Sequence, residues 1–339
     1  MNWFSTGGTQ KSSLVTLDER GLIAGYVLDG KGGGAAVEWD TIRTWAPEKG
    51  ALWLHLNRAD KTVRHWLMNE AGIEKEVADA LLAPDVRPRV VPTAKGLIVN
   101  LKGINLNPGA DPEDMVALRC YLEGPRLITT RQRRIMAIDD IRLRIKQGAG
   151  PKDASDALVM IAHSLMVRIG HVLEEMGDAV DELEDELIAG HSAKLRDRLG
   201  MVRRRAVAVR RHLAPQREAL TRLHMESSAL IDDKDRLALR EIADSTTRYV
   251  EDLDAVRERA AVLQDEWAGR LAEQQNRNSY LLAVVAGVVL PLTLITAVLG
   301  VNIGGMHEGH AGEDFWTLVC VLAGLGVAQI VLYRLMRWL

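Results

Sequence analysis

The sequence predicts an α+β cytoplasmic domain followed by a very long stalk helix and two C-terminal transmembrane helices. Three observations lead to this fold class. Short β-rich runs separated by turn residues fill the first 135 residues. From about Met136 the pattern becomes helical almost without a break. Near the C-terminus lie two uncharged segments, each close to the roughly 20 residues that a spanning helix needs.

Residues 1–135 are predicted to form the α+β domain. Its β-rich runs are GLIAGYVL, ALWLHLN, GLIVNLKGI and VALRCYLEGPRLITTR, and the last resembles a hairpin around Glu123-Gly124-Pro125. Helical stretches at Thr62–Glu70 and Lys75–Leu82 interrupt the strands. The run Gly30–Ala36 lacks the Lys-Ser/Thr pair that closes a phosphate-binding loop, so we interpret it as a flexible turn.

Residues 136–231 are predicted to form a helical region with two helices of opposite charge. Ala154–Gly190 ends in a strongly acidic run, and Lys194–His224 is strongly basic. We expect the two helices to form a hairpin and to pair along their lengths. The alternative is that the acidic face also meets metal ions. The nearly balanced net charge of -3 suggests no nucleic-acid partner.

Residues 232–279 are predicted to form a stalk helix that resembles a coiled coil. Its apolar or neutral residues recur at alternating steps of three and four. These seam residues are Leu239, Ile242, Thr246, Tyr249, Leu253, Val256, Ala260, Leu263 and Trp267. A single helix from about Asp233 to Leu299 would be ~100 Å long at 1.5 Å per residue. We expect it to bury this seam against copies of itself around a symmetry axis.

The C-terminal part is predicted to be a helical hairpin in a membrane. The first span is 280–299, the outer loop is 300–314, the second span is 315–335 and the tail is 336–339. Arginines flank both spans on the side of the termini, whereas the loop has no Lys or Arg. By the positive-inside rule, both termini lie in the cytoplasm and the loop lies outside.

An assembly of such hairpins is either an anchor or a pore, and the first span together with the residues just before it carries a candidate pore-lining face. Its members are Asn276, Ser279, Leu282, Leu290 and Thr293. Hydroxyl and amide oxygens there can accept hydrogen bonds from the water shell of a hydrated cation, and the leucines can form constrictions that gate by dewetting. The alternative for Ser279 and Thr293 is a hydrogen bond to the backbone of their own helix.

The loop between the spans carries the candidate cation-binding groups. Gly300 permits a tight backbone, and a ring of Asn302 side chains would offer amide oxygens without fixed charge. His307, Glu308 and His310 follow, and imidazole nitrogens suit zinc. The alternative is that both histidines are ordinary solvated residues. The loop has acidic but no basic groups, which raises the local concentration of cations.

These features resemble the CorA family of divalent-cation transporters. The motif Gly300-Val301-Asn302 departs from the Gly-Met-Asn of the magnesium members and looks like the zinc-transport branch. Further stretches resemble that branch: WLHLN at 53–57, RPRV at 87–90, TTRQRR at 129–134, APQR at 214–217 and the final Arg-Trp-Leu. The resemblance covers nearly the whole chain.

The resemblance implies a CorA-like, funnel-shaped homopentamer in a lipid bilayer, with the pore lined by the first span. Asn302 would hold a hydrated cation at the entrance, and Asp265 falls near the position of the family's gating acid; its alternative is a solvated heptad position. The expected activity is transport of Zn²⁺, together with Co²⁺, Ni²⁺, Cd²⁺ or Mg²⁺, across the inner (cytoplasmic) membrane, with no permanently bound cofactor.

Two alternatives remain open from the sequence. One is a magnesium or cobalt channel of the CorA type, and the other is a non-conducting, membrane-anchored coiled-coil scaffold or sensor. An enzyme is not expected, because no set of histidine, serine and carboxylate residues has the spacing of a catalytic motif.

Overall fold

The computed structural model describes residues 20–190, 194–226, 229–300 and 311–335. The chain divides into two compact units, and the boundary between them lies within one helix, between Leu263 and Gln264. The helices are α1 Trp39–Arg43, α2 Lys61–Asn69, α3 Lys75–Leu82, α4 Met136–Lys146, α5 Ala154–Ile188, α6 Leu195–Met225, α7 Asp233–Gly300 and α8 Ala311–Leu335.

The described part of the first unit is built on a seven-stranded sheet. Its strands are β1 Leu22–Leu28, β2 Gly34–Ala36, β3 Leu52–Asn57, β4 Arg89–Pro92, β5 Leu97–Gly103, β6 Val116–Glu123 and β7 Arg126–Arg131. They lie in the order β2-β1-β3-β7-β6-β5-β4, and β3 and β7 are the parallel pair. The two-residue turn between β6 and β7 has Gly124 at a φ of 52°, a conformation that favours glycine.

The three short helices α1, α2 and α3 cover one face of the sheet. Side chains from β3, such as the buried Leu54 and Leu56, pack there against Trp66 and Leu81. Asp60 caps α2 because its side chain accepts a hydrogen bond from the backbone N–H of Thr62. Burial of these apolar side chains is the main stabilising force of this layer.

The helices α5 and α6 pack against strands of the same sheet, α5 against β3, β5, β6 and β7 and α6 against β4 and β5. Gln216 of α6 extends the hydrogen bonding of β5 beyond the end of β4. Its amide accepts a bond from the backbone N–H of Lys102 (2.6 Å) and donates one to the Lys102 carbonyl (3.0 Å). Gln216 is fully buried, so the side chain replaces a neighbouring strand at this position.

The N-terminal half of α7 buries its seam within its own chain. Leu239, Thr246, Leu253 and Ala260 are all fully buried. The expectation that this seam needs other copies of the chain was therefore wrong as far as Leu263. Helices α5 and α6 supply the apolar cover, and Tyr249 lies directly against Gly170 of α5, where a Cβ would have no room.

The oppositely charged helices α5 and α6 pair in part. Arg198 of α6 lies against Glu186 and Glu182 of α5. In the same stretch of α5, Asp181 and Glu184 instead accept from Arg259 of α7 at 2.6 and 2.8 Å. The acidic residues of α5 thus pair with arginines of two different helices, because both α6 and α7 pack against α5.

The second unit contains the rest of α7 and α8. By length and composition, α5 and α7 are each apolar enough to cross a membrane, and α8 has a shorter apolar stretch over Val319–Leu335. The apolar stretch of α5 is mostly buried within the first unit, as in a core helix, whereas none of the stretch in α7 is buried. We therefore assign the membrane spans to α7 and α8.

The predicted elements agree closely with the structure. The four β-rich runs correspond to β1, β3, β5 and the β6–β7 hairpin, and the helix predicted at Lys75–Leu82 has those same bounds. The short strands β2 and β4 were not predicted. The run Gly30–Ala36, predicted to be a flexible turn, is a turn over its first four residues, where Asp29 accepts from the backbone N–H groups of Lys31 and Gly33, and its last three residues form β2. Gly300, expected to begin the outer loop, is the last residue of α7.

Candidate cation pathway

The candidate pore-lining residues lie on one exposed face of α7. At about 100° per residue, the five positions fall within roughly a third of the helix circumference. All five side chains are exposed: Asn276, Ser279, Leu282, Leu290 and Thr293. The exposed fractions of Leu282 and Leu290 are 71% and 65%. Because exposed leucines on a membrane span face either lipid or a neighbouring helix, this face is available to line a path between copies.

A different face of α7 packs against α8. The half-buried residues of the span are Val284, Gly287, Val288, Pro291, Leu292 and Ile295. The hydroxyl of Tyr333 donates to the carbonyl of Gly287 at 3.2 Å, which is possible because glycine lets the two helices approach closely. This contact face lies nearly half a turn from the candidate pore face, so α8 leaves the pore face uncovered.

The hydroxyl of Thr293 is already used by its own helix. It donates to the backbone carbonyl of Val289 at 2.8 Å. This is the alternative that the sequence left open for Thr293. The oxygen of that hydroxyl keeps its lone pairs, so Thr293 can still accept a hydrogen bond from a water molecule but has no proton to donate.

The remaining candidate residues do not form a metal site in the described residues. Asp265 is exposed on α7. Within the described ranges, no group of three or more His, Cys, Asp or Glu residues is arranged to hold a metal ion. Val301, Asn302, His307, Glu308 and His310 lie outside the described residues. Their assignments therefore stay predictions.

Comparison with known proteins decides the family. The sequence profile of the CorA-like Mg²⁺ transporter protein family matches residues 48–336. The chain belongs to this family.

Relatives and solved structures support the CorA assignment. The chain is 37% identical to the divalent cation transporter CmaX of Pseudomonas aeruginosa over 95% of this chain and 98% of that protein. It is 36% identical to the zinc transport protein ZntB of Pectobacterium atrosepticum over 92% and 95% of the two chains. The structure of full-length CmaX matches with a TM-score of 0.83 at 36% identity, over 95% and 99% of the two chains.

More distant structures share the fold of this CorA-family chain. The CorA magnesium transporter of Methanocaldococcus jannaschii matches with a TM-score of 0.77 at 17% identity, over 93% of this chain and 98% of that one. The present chain is accordingly a CorA-family divalent-cation transporter. Its family consists of transporters, in agreement with the expectation that it is not an enzyme.

Two of the sequence motifs meet in a buried network of the first unit. His55 of WLHLN and Thr129 of TTRQRR lie side by side on the parallel strands β3 and β7. The Thr129 hydroxyl donates to the Leu54 carbonyl (2.8 Å) and lies 2.9 Å from His55 Nδ1 and 3.1 Å from Trp53 Nε1. Because that hydroxyl has one proton, it accepts from both rings, and His55 carries its proton on Nδ1.

The other ring nitrogen of His55 completes the network. Arg131 Nε donates to His55 Nε2 at 3.0 Å, which fixes the imidazole as neutral. Burial and the nearby charges of Arg131 and Arg142 hold the pKa of His55 well below its usual range. The sequence showed the motif but not its role, because only strand pairing brings these side chains together.

Proposed function

We propose that this chain transports Zn²⁺ across the cytoplasmic membrane through a homopentameric pore, with both termini in the cytoplasm. In this proposal the exposed face of α7 lines the path. Asn302, supported by the flanking Gly300 and Val301, binds the hydrated cation at the entrance. His307, Glu308 and His310 form the outer mouth, and Asp265 belongs to the cytoplasmic end of the path.

The observation that carries the proposal is the position of the candidate face relative to α8. The face carries Thr293 within the span and Ser279 and Asn276 just before it, and polar groups at a membrane are costly to leave against lipid because they need hydrogen-bond partners. It becomes favourable when copies of the chain turn this face toward a water-filled path. The contact with α8 lies elsewhere on the helix, so each copy can contribute the same face.

Zinc is supported by the relatives and by the outer loop. Proteins named ZntB match at 31–36% identity over at least 90% of this chain. Two histidines in the predicted mouth suit zinc better than magnesium, which prefers carboxylate and water ligands. Magnesium is the second candidate, because the matching family profile describes a Mg²⁺ transporter.

Flux measurements with the full chain in liposomes test the substrate. Vesicles are loaded with a zinc-sensitive or a magnesium-sensitive dye, and uptake is followed with and without a pH gradient. We expect Zn²⁺ entry, and Asn302→Ala should reduce it to the level of empty vesicles without changing assembly. Transport of Mg²⁺ without Zn²⁺ would contradict the zinc assignment. Absence of any flux would favour a scaffold or sensor.

A matched pair of asparagines tests the path. Asn276 lies on the candidate face, whereas Asn278, two residues further along the same exposed stretch, lies about 200° from Asn276 around the helix and about 100° from the centre of that face. Asn276→Ala should lower zinc flux, and Asn278→Ala should leave it unchanged. Equal effects of the two substitutions would show that this face does not line the path. The mass of the detergent-solubilised complex tests the pentamer.

A further inference from the structure

A row of polar side chains crosses the sheet beside α3 and the loop that joins α3 to β4. Asn100 of β5 pairs directly with Arg119 of β6 and with Arg89 of β4, and Arg119 pairs with Thr130 of β7. Directly opposed residues of antiparallel strands lie on the same side of a sheet. The Thr130 hydroxyl donates to the carbonyl of Leu81 at 2.7 Å, which places this row on the α3 side.

Two arginines converge in this region on one backbone carbonyl. Arg119 Nη2 donates to the carbonyl of Pro84 at 3.0 Å, and Arg58 Nη2 donates to the same oxygen at 3.4 Å. Arg119 is only 2% exposed. The Nε atoms of both arginines are buried without a hydrogen-bond partner among the described residues. The Nε–H donor of each guanidinium is therefore unused inside the protein.

Asn100 lies beside Arg119 and has no partner for either end of its amide. The residue is fully buried, and both Oδ1 and Nδ2 lack hydrogen bonds within the described part of the chain. A buried polar group without a partner costs about 1–3 kcal/mol. Such groups in native proteins point to a bound water molecule or ion.

The charges around this row are strongly unbalanced. Burial, together with the nearby charges of Arg211 and Arg119, lowers the pKa of Lys102, and His212 of α6 also lies near Lys102. The carboxylate that counters them is Asp85, which is largely exposed and lies 3.8 Å from the Lys102 ammonium. Burial and Arg58 lower the pKa of Arg119 to about 10, and burial with Lys102 and Arg211 lowers that of His212 to about 4.

We propose that a small inorganic anion of chloride size binds between the Arg119 guanidinium and the Asn100 amide, beneath the loop that follows α3. The anion accepts hydrogen bonds from Arg119 Nε and Asn100 Nδ2 and offsets the excess of positive charge. The site lies close to two of the sequence motifs, because Arg89 of RPRV is in the same row and APQR follows His212 on α6. The site is separate from the cation pathway and does not depend on it.

Thermal unfolding of the full chain in detergent tests the proposal. Unfolding is measured in sodium chloride and in sodium gluconate of equal ionic strength, because gluconate is too large for such a site. The melting temperature should rise with chloride concentration and saturate. Asn100→Leu, which removes the amide, should abolish this rise. The exposed Asn69→Leu serves as the control and should keep it.

Bromide locates the ion directly. Crystals of the wild-type protein grown in sodium bromide should give an anomalous peak within hydrogen-bond distance of Arg119 Nε and Asn100 Nδ2. If Asn100→Leu fails to fold, the bromide measurement alone decides whether an anion binds at this site. The proposal is overturned if chloride gives no specific stabilisation, if the stabilisation persists in Asn100→Leu, or if the bromide peak is absent and water occupies the position.

Discussion

At the scale of single residues, the first unit depends on a few buried polar groups that are fully partnered. Thr129 is the clearest case, because its one hydroxyl serves Trp53, His55 and the Leu54 carbonyl at once. Low dielectric surroundings strengthen such bonds and make their loss expensive. A network of this kind fixes the pairing of β3 with β7 more specifically than apolar packing alone.

Removal of the Thr129 hydroxyl should therefore destabilise the protein strongly. Thr129→Val keeps the shape but leaves the two ring N–H groups of Trp53 and His55 without a partner, for a loss of about 3 kcal/mol. The melting temperature of the detergent-solubilised chain is the measurement. Thr129→Ser retains the hydroxyl and should cost clearly less. Equal losses in the two variants would mean that methyl packing, not hydrogen bonding, is the important property.

Asp235, at the start of α7, should make stability depend on pH. It is 3% exposed, and burial together with Asp232, Asp156 and Asp153 raises its pKa from 3.8 to about 6. The folded state thus binds this proton more tightly than the unfolded state does. The stabilisation is present below pH 4 and is lost as pH rises through about 6.

The corresponding prediction concerns Asp235→Asn. At pH 7.5 this substitution should raise the melting temperature by about 5 °C, because it removes a buried charge. Near pH 4.5 the gain should largely disappear. The neighbouring Asp233 is fully exposed, so Asp233→Asn should have little effect at either pH. A gain for Asp235→Asn that does not change with pH would contradict the shifted pKa.

At the scale of elements, α7 changes its packing partner along its length. Its seam is covered by the helices of its own domain as far as Leu263, whereas in the membrane segment only the face toward α8 is partly covered. The leucines of the opposite face are the candidate constrictions. Apolar constrictions stop ions by excluding water, and a polar side chain at the same place admits it.

Leu290→Ser should therefore raise the zinc flux several-fold, and Leu282→Ser should act in the same direction. Val285 provides the control, because it is 58% exposed but lies on neither the candidate face nor the face toward α8. Val285→Ser should leave flux near that of the wild type. Uptake into dye-loaded liposomes is the measurement, and a flux increase in all three variants would indicate general leakage.

The sequence predicted most strands and helices but not which of them pack against one another. Alternating and helical hydrophobic patterns are local, so the strands and helices of the first 135 residues could be located from them. The seam of α7 has the same spacing whether it packs on its own domain or on another copy, and only the structure distinguished these. The roles of Gln216 and Thr129 depend on strand register, which no short motif reveals. The candidate pore face was predicted from helical spacing alone, and its role as the lining of a path stays a prediction.

At the scale of the whole molecule, the two units are joined by one uninterrupted helix. The 68 residues of α7 run from the buried seam of the first unit to the end of the first span. Leu253, Val256, Ala260 and Leu263 fix the rotation of the helix at one end, because they are held in the core.

Because α7 is a single helix of 68 residues, an inserted residue changes the direction of every side chain beyond it without altering any side chain. One alanine inserted after Gly269 would rotate everything beyond it by about 100° and turn the polar face away from the path. Seven inserted alanines would restore the direction to within about 20° while lengthening the helix. Zinc flux should be lost in the first variant and retained in the second; normal transport with one extra residue would show that the cytoplasmic core does not set the orientation of the pore.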